Sequence, residues 1–357
     1  LRAELVEALL EVLRSPLPSP EVVLMPDFYL DHFVKFEGDL ELLIRSIRET
    51  AERGGGNLPM SKQAIARGGN AANAAAALSR MGGRPYLVAK ADDLGLWLLE
   101  RRSGLKGEEL RGVKVVGSQS MTVALEVYRD GDLVNIMIND PGPVRAFGPS
   151  DLDEGDLEAV KRADFVCVLN WAQNSMGTEL IKEVFGVVKR EGVGKTFLDT
   201  GDPSPRGEEV KTLLKEVSRS GLIDIWGMNE NEARRYSSAM GFDSAGASLL
   251  EIGRFLHEEL GAIIDLHTSD FSSTHGPDGE WAVDSFPVSP LRKTGAGDAW
   301  NAADIFGHFM RLDPELRLAL ANAAASYYIS NESGRHASVD DLMGFLGAYL
   351  GRNWGSM

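Results

Sequence analysis

Short apolar runs alternate along this chain with stretches whose apolar residues recur every three or four positions. Residues 3–14 place Leu5, Ala8, Leu9, Val12 and Leu13 at helical spacing and stop at "SPLPSP". "EVVLM" (21–25) reads as a buried strand, "FYLDHFVKF" (28–36) as a half-exposed one, and "LELLIRSIRETAER" (40–53) as a helix ended by "GGG". "GGNAANAAAALSRMGG" (68–83) reads as a glycine pair, a small-residue helix and a glycine stop, followed by the strand "PYLVAKA" and the helix "GLWLLERRSG". Two β-rich runs around "RDGD" in 121–138 predict a hairpin. Beyond it the strand-like "DFVCVLN", "KTFLDT", "LIDIWGMN" and "AIIDLHT" are separated by helical patterns, and helices follow after 297 and over 315–330. That order predicts an α/β fold in three layers, a mostly parallel central sheet with helices on both faces. The β-rich pieces at 31–37 and 121–138 do not belong in such a layer. They predict a small β-rich lid (31–59 and 119–139) on a large domain made of 1–30, 60–118 and 140–357.

Composition narrows the function. The 357 residues are 43% apolar and 25% charged, ordinary for a folded chain, and the formal net charge is −16. Such an acidic surface argues against nucleic acid and anionic membranes as partners, while a local basic cluster can still hold a small anion. Cys167 is the single cysteine, which excludes an intrachain disulfide and a multi-cysteine metal site. No segment approaches the roughly 20 apolar residues of a membrane span. The opening helix is amphipathic, with acidic residues and no cleavage pattern, so the expectation is a cytoplasmic enzyme.

Five stretches carry candidate chemistry. In "RKTGAGDAW" (292–300) Gly295 and Gly297 open a helix, where unpaired N–H groups and the dipole favour an anion, and Asp298 falls in the first turn. An anion hole beside a carboxylate base suits phosphoryl transfer to a hydroxyl. Gly68 and Gly69 open a second helix that puts Asn70 and Asn73 on one face, with amides suited to sugar hydroxyls. Asp27 and Asp31 follow the first strand, where α/β sheets face their ligands. Asn229 and Glu232 form an N-x-x-E pair able to hold Mg²⁺ through water. Asp199 and Asp202 end another strand, near Arg206. Each stretch alone also reads as plain structure: a capped helix start, a packing helix, a solvated loop, an acidic first turn, a polar turn.

Their order resembles that of the ribokinase-like (PfkB) carbohydrate kinase family: Asp31, then Gly68–Gly69–Asn73, then Asn229–Glu232, then Gly295–Ala296–Gly297–Asp298, over roughly 21–345. The resemblance implies a ribokinase-like fold and a Mg²⁺-dependent phosphotransferase moving a phosphoryl group from ATP, or ADP, to a hydroxymethyl group of a sugar or nucleoside. It implies Asp298 as base, the backbone of Gly295, Ala296 and Gly297 as anion hole, and Asp27, Asp31, Gly68, Gly69, Asn73 and Asn170 around the acceptor. Asn229, Thr268, Ser269 and Asn322 would meet the nucleotide and Glu232 the metal. Four departures stand out. Arg292 and Lys293 replace the acidic or small pair that usually precedes GAGD. Ser269 and Asp270 stand where a phosphate-loop glycine is usual. "MPDFYLD" adds Phe28 and Tyr29 to the acceptor side, and residues 1–20 add a helix. The basic pair is expected to hold nucleotide phosphates or the phosphate of a sugar-phosphate acceptor such as ribose 1-phosphate. A non-catalytic sugar- or nucleotide-binding regulator is the other alternative, and a homodimer through the lid is an expected assembly.

Overall fold

The computed structural model describes every residue except 59–61, 293, 332 and 355–357, and of 352–354 the backbone alone. Fourteen strands form three sheets among the described residues. In chain order they are β1 (Glu21–Met25), β2 (Tyr29–Asp39), β3 (Lys62–Gly68), β4 (Arg84–Leu87), β5 (Ala89–Ala91), β6 (Val113–Val115), β7 (Met121–Arg129), β8 (Asp132–Asp140), β9 (Phe165–Leu169), β10 (Lys195–Asp199), β11 (Ile225–Asn229), β12 (Ile263–His267), β13 (Phe271–Gly276) and β14 (Gly279–Asp284). The main sheet runs β14-β13-β12-β11-β10-β9-β1-β4, and its strands from β12 to β4 are parallel.

Why these runs become central strands shows in how they divide their side chains. Successive residues of a strand face opposite sides. Val22 and Leu24 of β1, with Phe165, Cys167 and Leu169 of β9, enter one apolar cluster. Val23 and Met25, with Val166 and Val168, enter the other. Both faces are dry, so neither strand shows a polar alternation. Cys167 is fully buried, and burial alone pushes its thiol pKa up, which leaves it inert. The first helix, Ala3–Arg14, docks against helices Pro314–Ser330 and Val339–Trp354. It buries Val6, Leu9, Leu10 and Leu13, each worth about 1.5–3 kcal/mol of apolar transfer.

The expected parallel layer ends at β12. The strands β13 and β14 return antiparallel and finish the edge. The sequence reading missed β13 because its buried residues are Ser272, Ser273, Thr274 and His275, polar throughout.

The β-rich pieces expected to form a lid pair into a second sheet, β3-β2-β7-β8. It draws in residues 62–68, which the sequence reading placed in the large layer. That segment, "KQAIARG", is mostly exposed and carries no apolar alternation to betray it. The predicted hairpin is β7–β8, turning through Asp130 and Gly131. Helix Leu40–Glu52 covers one face through Phe36, Leu43 and Val127.

Candidate functional site

In a parallel sheet the carboxyl ends of the strands share one edge, and ligands bind outside it. Here that edge carries the chemistry. Asp27 lies two residues past β1, Asn170 just past β9, and Asp199, Asn229 and His267 are the last residues of β10, β11 and β12. Asn229 and His267 are direct register partners. Strand β2 of the second sheet brings Tyr29 and Asp31 to the cavity. Between them lies a cavity of about 330 Å³, lined among others by Asp31, Asn73, Asn170, Asp199, Glu232 and Asp298.

Asp298 sits in the first turn of helix Ala296–Phe309, whose N-cap is Gly295. The first backbone N–H to find an intrahelical acceptor is that of Ala299, bonded to Gly295 O at 3.2 Å. The N–H groups ahead of it have no backbone acceptor among the described residues, and such a helix start favours an anion. The Asp298 carboxylate is buried and accepts a hydrogen bond from Asn73 Nδ2 at 2.8 Å. Burial drives its pKa well above the usual carboxylate range. Repulsion from Asp199 and Asp27 adds to this, against the Asn73 bond and the Arg67 charge. A carboxyl held up in this way is suited to take a proton near neutrality.

Asn73 is fixed at both ends of its amide. Its Oδ1 accepts from Arg67 Nε at 2.8 Å, and Arg67 in turn donates to His336 Nε2 at 2.9 Å. Strand β3 is thereby tied to Asp298 through one amide. Arg67, His336 and His267 escaped the sequence reading. The signals were present: Arg67 directly precedes the glycine pair, and His267 closes a buried strand at the ligand edge. His267 packs beside Trp300 with ring centroids 5.1 Å apart and lies next to Gly297. Burial holds its pKa down at about 4, so it stands neutral beside the helix start.

Asp31 is buried at the cavity wall, and its pKa is pushed up to about 6 by burial and Asp27, against a hydrogen bond from Thr122 and the Arg67 charge. Gly68 abuts this carboxylate so closely that a Cβ there would overlap it, which explains the first glycine of the pair. The second, Gly69, has φ +90° and passes over the backbone of Asp27 and Phe28, a close approach that only glycine permits. Tyr29 lines the cavity, and its buried hydroxyl has no partner among the described residues. Phe28, expected beside it, faces the apolar core instead.

Other candidates stand off the cavity wall. Asp27 is fully buried behind it, where its carboxylate accepts from the N–H groups of Asn70 and Ala71 and from Asn170 Nδ2, each at 2.8 Å. There it fixes the glycine-opened helix and the Asn170 amide. Thr268 Oγ1 closes the β12–β13 turn by bonding Phe271 O at 2.8 Å, and Ser269 is exposed beside it. Asn322, expected at the nucleotide, is buried with its amide spent on Trp300 Nε1 and the carbonyls of Val283 and Asp284. Lys293 lies outside the described residues.

Asn229 and Glu232 form a reciprocal cap: Glu232 N donates to Asn229 Oδ1, and Asn229 N and Nδ2 donate to the Glu232 carboxylate. Both still line the cavity, with Asp199 and Asp202. Glu232 is held well above the usual range by burial, then by Asp199, and Asp202 adds to that. Asp199 is raised by burial, against bonds from Gly201 N and Asn301. Hard oxygen donors that repel one another around a cavity are a fit for a divalent cation such as Mg²⁺. By contrast, the cluster Asp265, Asp304 and His308 is already balanced. The Arg317 guanidinium reaches both carboxylates and Thr274, and no cation is called for there.

A second groove of about 1850 Å³ adjoins the cavity and shares Asp31, Asn73 and Thr294 with it. Arg67, Arg292, Lys62 and Arg102 line it, unlike the acidic chain as a whole. Arg292, the described half of the basic pair, lies over the Tyr328 ring at 5.7 Å and against Gly334. Tyr328 stacks on His336 and reaches Gly295.

A family model described as pfkB family carbohydrate kinase matches residues 41–341. An ATP-dependent ribose-1-phosphate kinase from Halopiger xanaduensis is 26% identical over 300 residues, covering 81% of this chain and 88% of that protein. The Arabidopsis thaliana ribokinase solved with ribose and ATP superposes with a TM-score of 0.71 at 21% identity, covering 92% of this chain and 99% of that one. A ribokinase from Cryptococcus neoformans solved with ADP gives 0.68 at 17% identity, over 92% and 99%. Among the described residues no helix is long and apolar enough to cross a membrane.

Proposed function

The chain belongs to the pfkB family of carbohydrate kinases, and on that premise we propose that it moves a phosphoryl group from a nucleotide to a hydroxymethyl group of a sugar or nucleoside, with Asp298 as the base. The observation that carries this reading is the raised, amide-anchored Asp298 in the first turn of the helix, beside the N–H groups of the helix start. The acceptor hydroxyl approaches Asp298, which orients it and takes its proton as oxygen attacks the transferred phosphorus. The N–H groups at Gly295–Gly297 lower the energy of charge gathering on the phosphoryl oxygens. Asp31, Asn170 and Tyr29 offer acceptors and a donor to the remaining hydroxyls. The lid strands close one side of the cavity and limit water, which would otherwise compete as acceptor.

Glu232, with Asp199 and Asp202, would hold Mg²⁺. The ion would supply neutralisation of the nucleotide phosphates when bound. ATP is the donor favoured by the ATP-dependent relative. A second reading, that the acceptor already carries a phosphate, is favoured by that relative's name and by the arginine-lined groove.

The test is Asp298→Asn, assayed for ADP release against ribose, nucleosides and sugar phosphates. We expect turnover to fall by about 10²–10⁴ while acceptor KM changes little. A variant as fast as wild type would remove Asp298 as the base. Wild type that phosphorylates nothing with ATP or ADP would remove the kinase reading.

A further inference from the structure

We propose that the groove beside the acceptor cavity holds a phosphate already carried by the acceptor, and that Arg67 and Arg292 grip it. The substrate class is then a sugar phosphate with a free hydroxymethyl group. This rests on the phosphoryl-transfer reading of the cavity.

Arg67 is the pivotal observation. Its guanidinium projects from lid strand β3 into a place where its hydrogen-bond partners are a neutral amide oxygen and a neutral imidazole nitrogen. Among the described residues it makes no ion pair. The carboxylates that act on it, Asp298 and Asp31, do so from a distance, and burial lowers its pKa. A cation desolvated without an anion beside it is costly, and a ligand phosphate removes that cost. Nε and one Nη hold Asn73 and His336, leaving the other Nη nitrogen for charge-assisted bonding of a phosphate oxygen.

The surroundings repeat the demand. Arg67, Arg80 and Arg292 all act on His336, whose pKa burial and these charges push well below its ordinary value. His336 is therefore neutral, and because Arg67 can only donate, its Nε2 accepts. Arg80 is matched by Asp341 at 3.0 Å, so Arg67 is the cation of this group that has no ion pair among the described residues, and Arg292 lines the same groove. The groove meets the cavity at Asn73, which touches Asp298 with one end of its amide and Arg67 with the other. A pentose spanning that amide would present its hydroxymethyl oxygen to Asp298 and its far substituent to Arg67.

The step balances as for any phosphoryl transfer. The acceptor oxygen bonds the terminal phosphorus of the nucleotide, whose bond to the bridging oxygen breaks. The nucleotide leaves one phosphate shorter with that electron pair, and the hydroxyl proton goes to Asp298. The phosphate on the arginines is unchanged, and the product is a sugar bisphosphate.

The experiment compares wild type, Arg67→Met and Arg292→Met with ribose and ribose 1-phosphate as acceptors. Melting temperature is measured alongside, without nucleotide, in inorganic phosphate and in ribose 1-phosphate. Arg67 also orients Asn73, so the informative quantity is the ratio of kcat/KM between the two sugars. We expect wild type to prefer ribose 1-phosphate and each variant to lose at least about tenfold of that preference, together with the melting shift given by phosphate. The Asn73 amide is bonded by Arg67 and Asp298, so the Arg292 variant leaves those two bonds in place and separates anion binding from positioning of Asp298. An unchanged ratio and an unchanged phosphate shift in both variants overturn the proposal, as does wild type that prefers ribose. Turnover of neither sugar, with a phosphate shift still lost in Arg67→Met, keeps the anion site and removes the kinase reading.

Discussion

Individual carboxylates in this cavity are held away from their ordinary chemistry by what surrounds them. Asp298, Asp199, Asp31 and Glu232 are all raised, burial being the leading cause in each. The folded state therefore holds protons that the unfolded chain releases. Stability from this source is fully present below the ordinary carboxylate values and is lost as pH rises through the raised ones. Asp298→Asn, which cannot ionise, should raise the melting temperature at neutral pH and leave it nearly unchanged near pH 4. Thermal denaturation at the two pH values checks this, and a lower Tm at neutral pH would contradict it. Asp31 gives a second, narrower expectation. Its pKa of about 6 means that the carboxylate is lost to protonation below that pH, so acceptor KM should climb as pH falls through 6. In Asp31→Asn the KM should be high and flat across the same range. Legibility at this scale was uneven. Glycine pairs and acidic residues at helix starts announce themselves by spacing, so Gly68, Gly69, Asn73 and Asp298 could be read. Asp27 and Asn322 could not be separated from cavity residues, because their letters do not say which groups absorb their hydrogen bonds.

Between elements, the tie that matters most for the site is the buried charge network under the GAGD helix. Arg317 on helix Pro314–Ser330 bonds Asp265 of β12 at 2.9 Å and also reaches Asp304 on the GAGD helix, while His308 donates to Asp265. Three elements are locked by one guanidinium, and one of them ends in His267. Arg317→Met should destabilise the chain by about 3–5 kcal/mol, since it strands two buried carboxylates. Denaturant unfolding monitored by tryptophan fluorescence measures it, and a loss below about 1 kcal/mol would mean that the network relaxes without its cation. Periodicity revealed the apolar strands and the amphipathic helices. It failed for β3 and β13, whose residues are polar or exposed and whose strand state comes from neighbours they pair with.

At the scale of the whole molecule, one edge of the main sheet is assembled from five strand ends and faces residues of the second sheet across the cavity. The acidic cluster at that edge is unfavourable by itself, and a bound cation would relieve it. Mg²⁺ with nucleotide should therefore raise the melting temperature more than nucleotide with EDTA does. Glu232→Gln should shift the Mg²⁺ dependence of turnover to about tenfold higher concentration or more. Equal melting temperatures with and without the ion, or an unshifted Mg²⁺ dependence, would remove Glu232 from a metal role. The layered architecture was readable because strand and helix alternate so regularly. The second groove was not, because its lining comes from segments more than 200 residues apart, Arg67 from one and Arg292 and His336 from the other.

A single residue, Gly69, separates the end of lid strand β3 from helix Asn70–Arg80. Within that short span Arg67 faces the groove, Gly68 makes room for Asp31, and Asn73 holds the Asp298 carboxylate. Lid and pocket are therefore geared together with no slack between them. For anyone recombining such enzymes, residues 62–73 form one cassette: a lid transplanted from a relative without its own helix start would arrive out of step with Asp298.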